Sequence, residues 1–143
     1  MYKNITNFIG CDAEYEEARI VLFGAPFDST TSFRPGTRFA GQAVRNDSYG
    51  LEIYSPYQDA ELPENLVYDC GDLELAIGSP EAVLGQIGEC ACEILKDGKM
   101  PFMIGGEHLV TLGSVRAAAE KYPDMHIIHF DAHTDLRTDY LGV

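Results

Sequence analysis

Short apolar runs alternate with segments of helical periodicity along this chain. The runs lie at residues 19–23, 66–68, 100–104 and 125–130, and each is followed at once by glycine or aspartate. A continuous apolar run of this length is typical of a parallel strand that is covered on both faces. The pattern therefore predicts four strands, each ending in a polar turn.

The clearest helix prediction lies between the second and third strands. Ser79 provides a hydroxyl that can cap the first turn, Pro80 fits the first helical position, and Glu81 places an acid in the first turn. Apolar residues then recur at helical spacing until Gly98, where the helix is expected to end.

Two further segments have helical spacing, at residues 39–45 and 109–119, whereas residues 46–65 are predicted to be mainly loop. Alternation of strands and helices predicts an α/β protein, a three-layer α/β/α fold with a mostly parallel sheet. The chain stops at Val143, soon after its most polar strand end. We therefore expect a truncated sheet, with residues 1–143 forming the N-terminal part of a single domain whose C-terminal half is missing.

Composition and charge narrow the class of partner. The chain has 23 acidic and 10 basic residues, a formal net charge of −13. This charge disfavours nucleic acid and favours small cationic ligands. No apolar run reaches the length of a membrane span. Four cysteines without a CxxC pair are typical of reduced thiols in a cytoplasmic protein.

The candidate chemistry gathers where the strands end. Asp131, His133 and Asp135 alternate after the last apolar run, so in an extended segment their side chains lie on one face. His108 follows Gly105 and Gly106, which allow a sharp turn and a close backbone approach. Ligands of open parallel sheets bind at this edge. The alternatives are a polar strand exit that faces water and a structural histidine at a helix start.

Such a set, rich in carboxylates and without thiolate, favours manganese, iron or catalytic zinc over a structural zinc finger. Several carboxylates around one site also suggest two metals, because an aspartate can bridge a pair that activates water. Other polar residues have structural explanations at least as good as functional ones. These are Asp28 with the hydroxyls of 29–32 (substrate mouth or turns), Arg34, Arg38 and Arg45 (loop bracing or subunit contacts), Asp69 and Asp72 (turns or catalysis), Glu107 (helix cap or support of a ligand), and His126 and His129 (packing).

At these residues the sequence resembles the ureohydrolases of the arginase and agmatinase family, over nearly the whole chain. The two strong motifs are Gly-Gly-Glu-His at 105–108 and Asp-Ala-His-Thr-Asp at 131–135. Weaker matches are 34–39, 69–72 and, on the agmatinase side, 136–142.

The resemblance implies a binuclear manganese centre. By match, His108 and Asp135 would bind one manganese and His133 the other, with Asp131 bridging both and holding a metal-bridging hydroxide. The implied reaction converts agmatine and water to putrescine and urea, in a cytoplasmic homo-oligomer of polyamine biosynthesis.

The family's second half supplies further metal ligands, so the resemblance also implies that the 143-residue chain alone is inactive. Gly41 departs from the proline that is common there in the family. Alternatives are an arginase or guanidinobutyrase-type ureohydrolase, and a non-catalytic metal-binding half-protein.

Overall fold

The computed structural model describes residues 6–140 and 142; Leu141, in the weaker 136–142 motif, lies outside them. The strands are β1 (Ile20–Ala25), β2 (Tyr54–Ser55), β3 (Ala60–Glu61), β4 (Val67–Asp72) and β5 (Met100–Gly105), and the helices are α1 (Ala40–Ser48), α2 (Pro80–Lys96) and α3 (Thr111–Lys121), with short 3-10 helices at Thr37–Phe39 and His108–Val110. The main sheet has the order β4-β1-β5 and all its pairs are parallel. The α/β prediction is confirmed.

Strand β1 is the centre of the sheet and is buried on both faces. Val21 and Phe23 are fully buried in a core that includes Ile87 of α2. Leu22 alternates to the other face and packs with Cys11 in a second core. Continuous apolarity in β1 therefore reflects two covered faces, as the sequence predicted.

Helix α2 begins as its sequence predicts. The Ser79 side-chain oxygen accepts a hydrogen bond from the backbone N–H of Ala82 at 3.2 Å, and Pro80 occupies the first turn. Helix α3 packs against α2 through small side chains, among them Ala91 and Ala117. These contacts form a layer on one side of the sheet.

Helix α1 covers the opposite face, where a buried ion cluster ties it to β4. Arg45 is 3% exposed. Its Nε and Nη2 donate to the two carboxylate oxygens of Asp69 at 2.8 and 2.9 Å, and its Nη1 donates to Asp72 Oδ1 at 2.5 Å. Arg45 and both aspartates thus form a buried ion cluster with a structural role, in which Arg45 braces α1 against β4.

The same cluster explains glycine at position 41. A β-carbon on Gly41 would lie 2.5 Å from Asp72 Oδ1 and 3.2 Å from Arg45 Nη1. A larger residue here would therefore require the Asp72 carboxylate to move, which would disturb its ion pair with Arg45. Glycine at position 41 therefore leaves room for the Asp72 carboxylate beside Arg45.

The predicted strand at residues 125–130 is wrong for this structure. Residues 126–130 have no strand pairing and are exposed, and Ile127, Ile128 and Phe130 are 65%, 79% and 96% exposed. An apolar run becomes a buried strand only when a neighbouring strand and covering layers are present. No described element covers this run, so it is exposed and unpaired.

A smaller correction concerns residues 46–65. They contain the end of α1 and a short antiparallel ribbon in which Tyr54 pairs with Glu61 and Ser55 with Ala60. Two-residue strands carry too few alternating positions for a period of two to be recognised.

Within the described residues no helix is long and apolar enough to cross a bilayer.

The four cysteines lie in the described part of the chain, and none is disulfide-bonded. Burial is the main cause that raises the pKa of the Cys11 thiol to about 11, that of Cys70 to about 12 and that of Cys90 to about 11. Apolar surroundings disfavour the thiolate. These thiols therefore stay protonated near neutral pH.

We expect the free energy of unfolding to fall as pH rises from about 9 to 12. The folded-state pKa of each buried thiol lies above the unfolded value of 9.0. Their stabilisation is therefore complete below pH 9.0 and is lost as pH passes through the folded-state pKa. Urea denaturation at several pH values measures this loss. Cys70→Ala should show a smaller alkaline loss than wild type, and an unchanged slope would contradict the assignment.

Candidate metal centre

The turn after β5 brings His108 beside the end of β1. Gly106 N–H donates to the Ala25 carbonyl at 3.0 Å, and Glu107 N–H donates to the Phe27 carbonyl at 2.8 Å. A β-carbon on Gly106 would overlap the Phe27 carbonyl and would lie 2.7 Å from its carbon atom. The predicted close approach is therefore confirmed, and it fixes where His108 begins its helix.

Glu107 joins this turn to the loop after β1. Its side chain accepts hydrogen bonds from the backbone N–H of Thr30 at 3.1 Å and from the Thr30 hydroxyl. It makes no capping hydrogen bond to the helix that follows. Glu107 is 9% exposed. It therefore anchors a loop, a role the sequence did not distinguish from capping.

Asp28 organises the rest of that loop from within. Its carboxylate accepts hydrogen bonds from the backbone N–H groups of Gly36 at 2.6 Å and Arg38 at 3.2 Å, and from Arg38 Nη1 at 2.6 Å. Burial alone would raise the pKa of Asp28. The hydrogen bonds from Gly36 and Arg38 and the charge of Arg38 lower this pKa by more, so the net shift is downward. Asp28 is a structural anchor rather than a wall of a substrate mouth.

The Asp131 carboxylate is the centre of the candidate site. His108 Nδ1 lies 3.2 Å from its Oδ2 and His133 Nδ1 lies 3.6 Å from its Oδ1. The side chain of Asp131 is 14% exposed, whereas those of His108 and His133 are 75% and 81% exposed. Three of the four sequence-predicted ligands are therefore brought together, with one imidazole on each oxygen.

Local hydrogen bonding keeps Asp131 ionised. The backbone N–H of His133 donates to Asp131 Oδ1 at 2.8 Å and is the main cause that lowers the pKa of this carboxyl group. Partial burial opposes the shift, and the imidazoles of His108, His129 and His133 add to it. A carboxylate held anionic in this way suits a cation ligand.

Asp135 is not brought to the other three. Its backbone has a φ of 54°, which ends the extended alternation that would place it on the face of Asp131 and His133. Its carboxylate instead lies 3.7 Å from Arg137 Nη2 and is 54% exposed. Its assignment as a ligand stays a prediction.

His129 is the residue that sequence reasoning missed. Its Nε2 lies 3.6 Å from Asp131 Oδ2, the oxygen that also faces His108. The signal was available, because residues 129, 131 and 133 share one face of an extended segment. His126 lies an odd number of residues from Asp131 and belongs to the opposite face.

The donor set fits a divalent cation, although its geometry is not yet that of a bound one. Imidazole nitrogen and carboxylate oxygen are ligands of manganese, iron and zinc. Among residues 6–140 and 142, no group of three or more His, Cys, Asp or Glu side chains is already arranged to hold a metal ion.

Comparison with known proteins identifies the family of proteins to which this chain and its candidate metal centre belong. Residues 18–143 match the sequence profile of the arginase family. The chain belongs to the arginase family.

Individual relatives refine the picture. The chain is 50% identical over 135 residues to an agmatinase of Bacillus subtilis, covering 94% of this chain and 47% of that protein. It superimposes on the crystal structure of the agmatine ureohydrolase of Thermoplasma volcanium with a TM-score of 0.87 and 34% identity, covering 98% of this chain and 46% of that one. It also shares its fold with a Trypanosoma cruzi formiminoglutamase determined with Mn²⁺, at 22% identity and a TM-score of 0.68, over 82% of this chain and 42% of that one.

In each comparison the match covers a much larger share of this chain than of the relative. Nearly all of this chain is matched, but it spans about half the length of the curated relatives that it matches. Membership of the family therefore does not by itself assign the activity of a whole arginase-family protein to this chain.

Proposed function

We propose that this chain is part of an arginase-family ureohydrolase that hydrolyses agmatine to putrescine and urea. The observation that carries the proposal is the Asp131 carboxylate, whose two oxygens face different imidazoles, His108 and His133. Such a carboxylate would be able to serve as a ligand shared between two cations, whose chemistry would be the activation of water. Similarity to agmatinases supports the choice of substrate.

In the proposed reaction, water adds to the guanidinium carbon and the bond from that carbon to the amine nitrogen breaks. A proton then passes to the leaving amine, and urea and putrescine are released. Two divalent cations, for which we propose Mn²⁺, would supply activated water when bound. The candidate ligands are His108, Asp131, His133 and Asp135.

The residues of the chain have distinct parts in this proposal. Asp131 remains an anion because its pKa is lowered, so it is available as a shared ligand near neutral pH. Glu107 and Thr30 hold the loop after β1 against the turn that carries His108. The net charge of −13 attracts a cationic substrate.

Asp131→Asn tests the metal centre. We expect it to weaken Mn²⁺ binding by more than about a hundredfold, because a shared anionic ligand is lost and even supporting residues change affinity by 10–100-fold. Calorimetric titration of the longest polypeptide that the gene encodes measures this change. The matched control is Asp124→Asn, at an exposed aspartate of the same region, which should bind as wild type does. Equal binding by wild type and Asp131→Asn would refute the proposed centre.

Urea release tests the activity. We expect none from the 143-residue chain alone, because it spans about half of its relatives and its candidate ligands are exposed. The longest polypeptide that the gene encodes should release urea from agmatine in preference to arginine or guanidinobutyrate. Preference for another substrate would favour the arginase or guanidinobutyrase-type alternative. Metal binding without urea release by either polypeptide would favour a non-catalytic metal-binding protein.

The remaining proposals concern the setting of the protein. We propose that residues 1–143 are the N-terminal part of one arginase-like α/β domain, and the coverage of the relatives supports this. The cytoplasm is proposed as its location on the strength of four cysteines that carry no disulfide. We also propose a role in polyamine synthesis and self-association of the complete protein, as the family resemblance implies. We expect no nucleic-acid partner because of the net charge of −13, and no membrane partner because no apolar run reaches the length of a membrane span.

A further inference from the structure

We propose that the complete protein self-associates through two surfaces of opposite charge. One is the basic aromatic segment, residues 33–39, and the other is the acidic ribbon, residues 52–64, of a second copy of this chain. The inference rests on the self-association proposed above and names the residues that meet. It does not involve the candidate metal centre.

Charge is unevenly distributed along the chain. Residues 29–46 contain three arginines and no acidic residue, whereas residues 47–95 contain 11 acidic residues and no lysine or arginine. The chain as a whole has a net charge of −13. A basic segment on such a protein is attracted to the acidic surface of another copy, and this complementarity sets which surfaces meet.

Arg34 is the arginine of this region that the fold leaves without an acidic partner. Arg45 is buried in the ion cluster with β4, and Arg38 Nη1 lies 2.6 Å from Asp28 Oδ1. Arg34 forms no ion pair with any described residue, and its guanidinium carbon lies 5.0 Å from the centroid of the Phe33 ring. The sequence left loop bracing and subunit contacts open for these arginines. Bracing belongs to Arg38 and Arg45, which leaves Arg34 available for a subunit contact.

The basic aromatic segment is fixed by hydrogen bonds from within the fold. The buried Asp28 carboxylate accepts them from the backbone N–H groups of Gly36 and Arg38. Arg34 has a φ of 47°, a left-handed conformation that is uncommon outside glycine. Such a conformation persists where the surrounding structure enforces it, and it is concentrated at functional sites. The segment therefore presents its outer side chains in one arrangement, which lowers the entropy cost of binding.

Aromatic side chains are exposed on both surfaces. Phe33 and Phe39 of the basic aromatic segment are 77% and 61% exposed, and Tyr57 of the acidic ribbon is 100% exposed. The acidic ribbon also presents the exposed Glu61 and Glu64, and neither is ion-paired in the part of the chain that the structure describes. Aromatic residues and arginine are enriched at protein interfaces, and exposed apolar groups rimmed by polar residues mark interaction sites. Both surfaces therefore have the composition of an interface.

Arg34→Glu and Arg34→Gly test the interface in the longest polypeptide that the gene encodes. We expect each to weaken self-association at least about tenfold, because a cation that faces acidic residues is reversed or lost. Glycine adopts a φ of 47° without strain, so Arg34→Gly should unfold no more readily than wild type. The matched control is Arg116→Glu, at an exposed arginine of α3, which should associate as wild type does. Sedimentation equilibrium measures association, and urea denaturation measures stability.

Charge exchange tests the second surface. Glu61→Lys combined with Glu64→Lys should weaken association as Arg34→Glu does. Adding Arg34→Glu to this pair should restore association, because the charges on the two surfaces are then exchanged rather than removed. Association that stays weak in the triple variant would overturn the acidic ribbon as the partner of Arg34.

The possible results separate this inference from the proposed function. A monomeric wild type overturns both the proposed self-association and this interface, whereas urea release by that monomer would leave the catalytic proposal intact. An oligomer that Arg34→Glu and Arg34→Gly leave unchanged overturns this interface alone. Loss of stability in Arg34→Glu with unchanged association would mean that another part of the same polypeptide covers the basic aromatic segment, and it refutes the interface as well.

Discussion

Replacement of Arg45 by methionine is expected to lower the free energy of unfolding by about 3–5 kcal/mol. The guanidinium is buried and satisfies both oxygens of Asp69 and one of Asp72. Methionine fills similar volume but leaves the fully buried Asp69 carboxylate without its cation. An uncompensated buried charge is much more unfavourable than a broken surface pair. Chemical denaturation measures the change.

The control for Arg45→Met is Arg116→Met, on the exposed face of α3, for which we expect a change within about 0.5 kcal/mol. A second variant guards against failure to fold. Adding Asp69→Asn to Arg45→Met should restore part of the lost stability, because the orphaned charge is removed. If Arg45→Met and Arg116→Met lose equal stability, the buried cluster does not hold α1 to β4.

Gly106→Ala is expected to lower the free energy of unfolding by about 3 kcal/mol or more and to abolish Mn²⁺ binding. The new β-carbon would lie 2.7 Å from the Phe27 carbonyl carbon and 2.8 Å from its nitrogen, and neither backbone atom belongs to a flexible group. Relief requires the turn to move away from β1. That movement breaks the hydrogen bonds that Gly106 and Glu107 donate to the Ala25 and Phe27 carbonyls, and it displaces His108.

Gly85→Ala is the matched control for Gly106→Ala. Gly85 lies within α2, and a β-carbon there would meet no atom within 4 Å. Alanine should therefore stabilise the chain by about 0.5–1 kcal/mol through its higher helix propensity. Denaturation and metal titration of both variants separate steric overlap from a general effect of alanine. Native stability in Gly106→Ala would mean that β1 and the turn are not in the close contact described.

Elements that depend on local chemistry were predicted well from the sequence. The capping of α2 needs only Ser79, Pro80 and Glu81, and the burial of β1 on both faces is indicated by its unbroken apolar run. Tight turns also carry a local signal, since Gly106 was predicted to pass close to a neighbour. Such features are fixed within a few residues and therefore remain visible without tertiary information.

Features that depend on distant partners were predicted less well. Residues 125–130 have the composition of a buried strand but no described neighbour to pair with, so their apolar side chains are exposed. Asp135 follows the spacing rule, yet a single left-handed residue turns it away. His129 was assigned to packing because an apolar strand was expected around it. In each case the missing information was the environment rather than the residue.

The carboxylate of Asp72 has a consequence for how this sequence is able to change during evolution. It lies against Gly24 and Gly41, where any β-carbon would collide with it, and it is held there by Arg45. These four positions are therefore epistatic. A larger residue at 24 or 41 requires the Asp72 carboxylate to move, and that movement weakens its ion pair with Arg45. Lineages that lose one member of this group should have lost others with it.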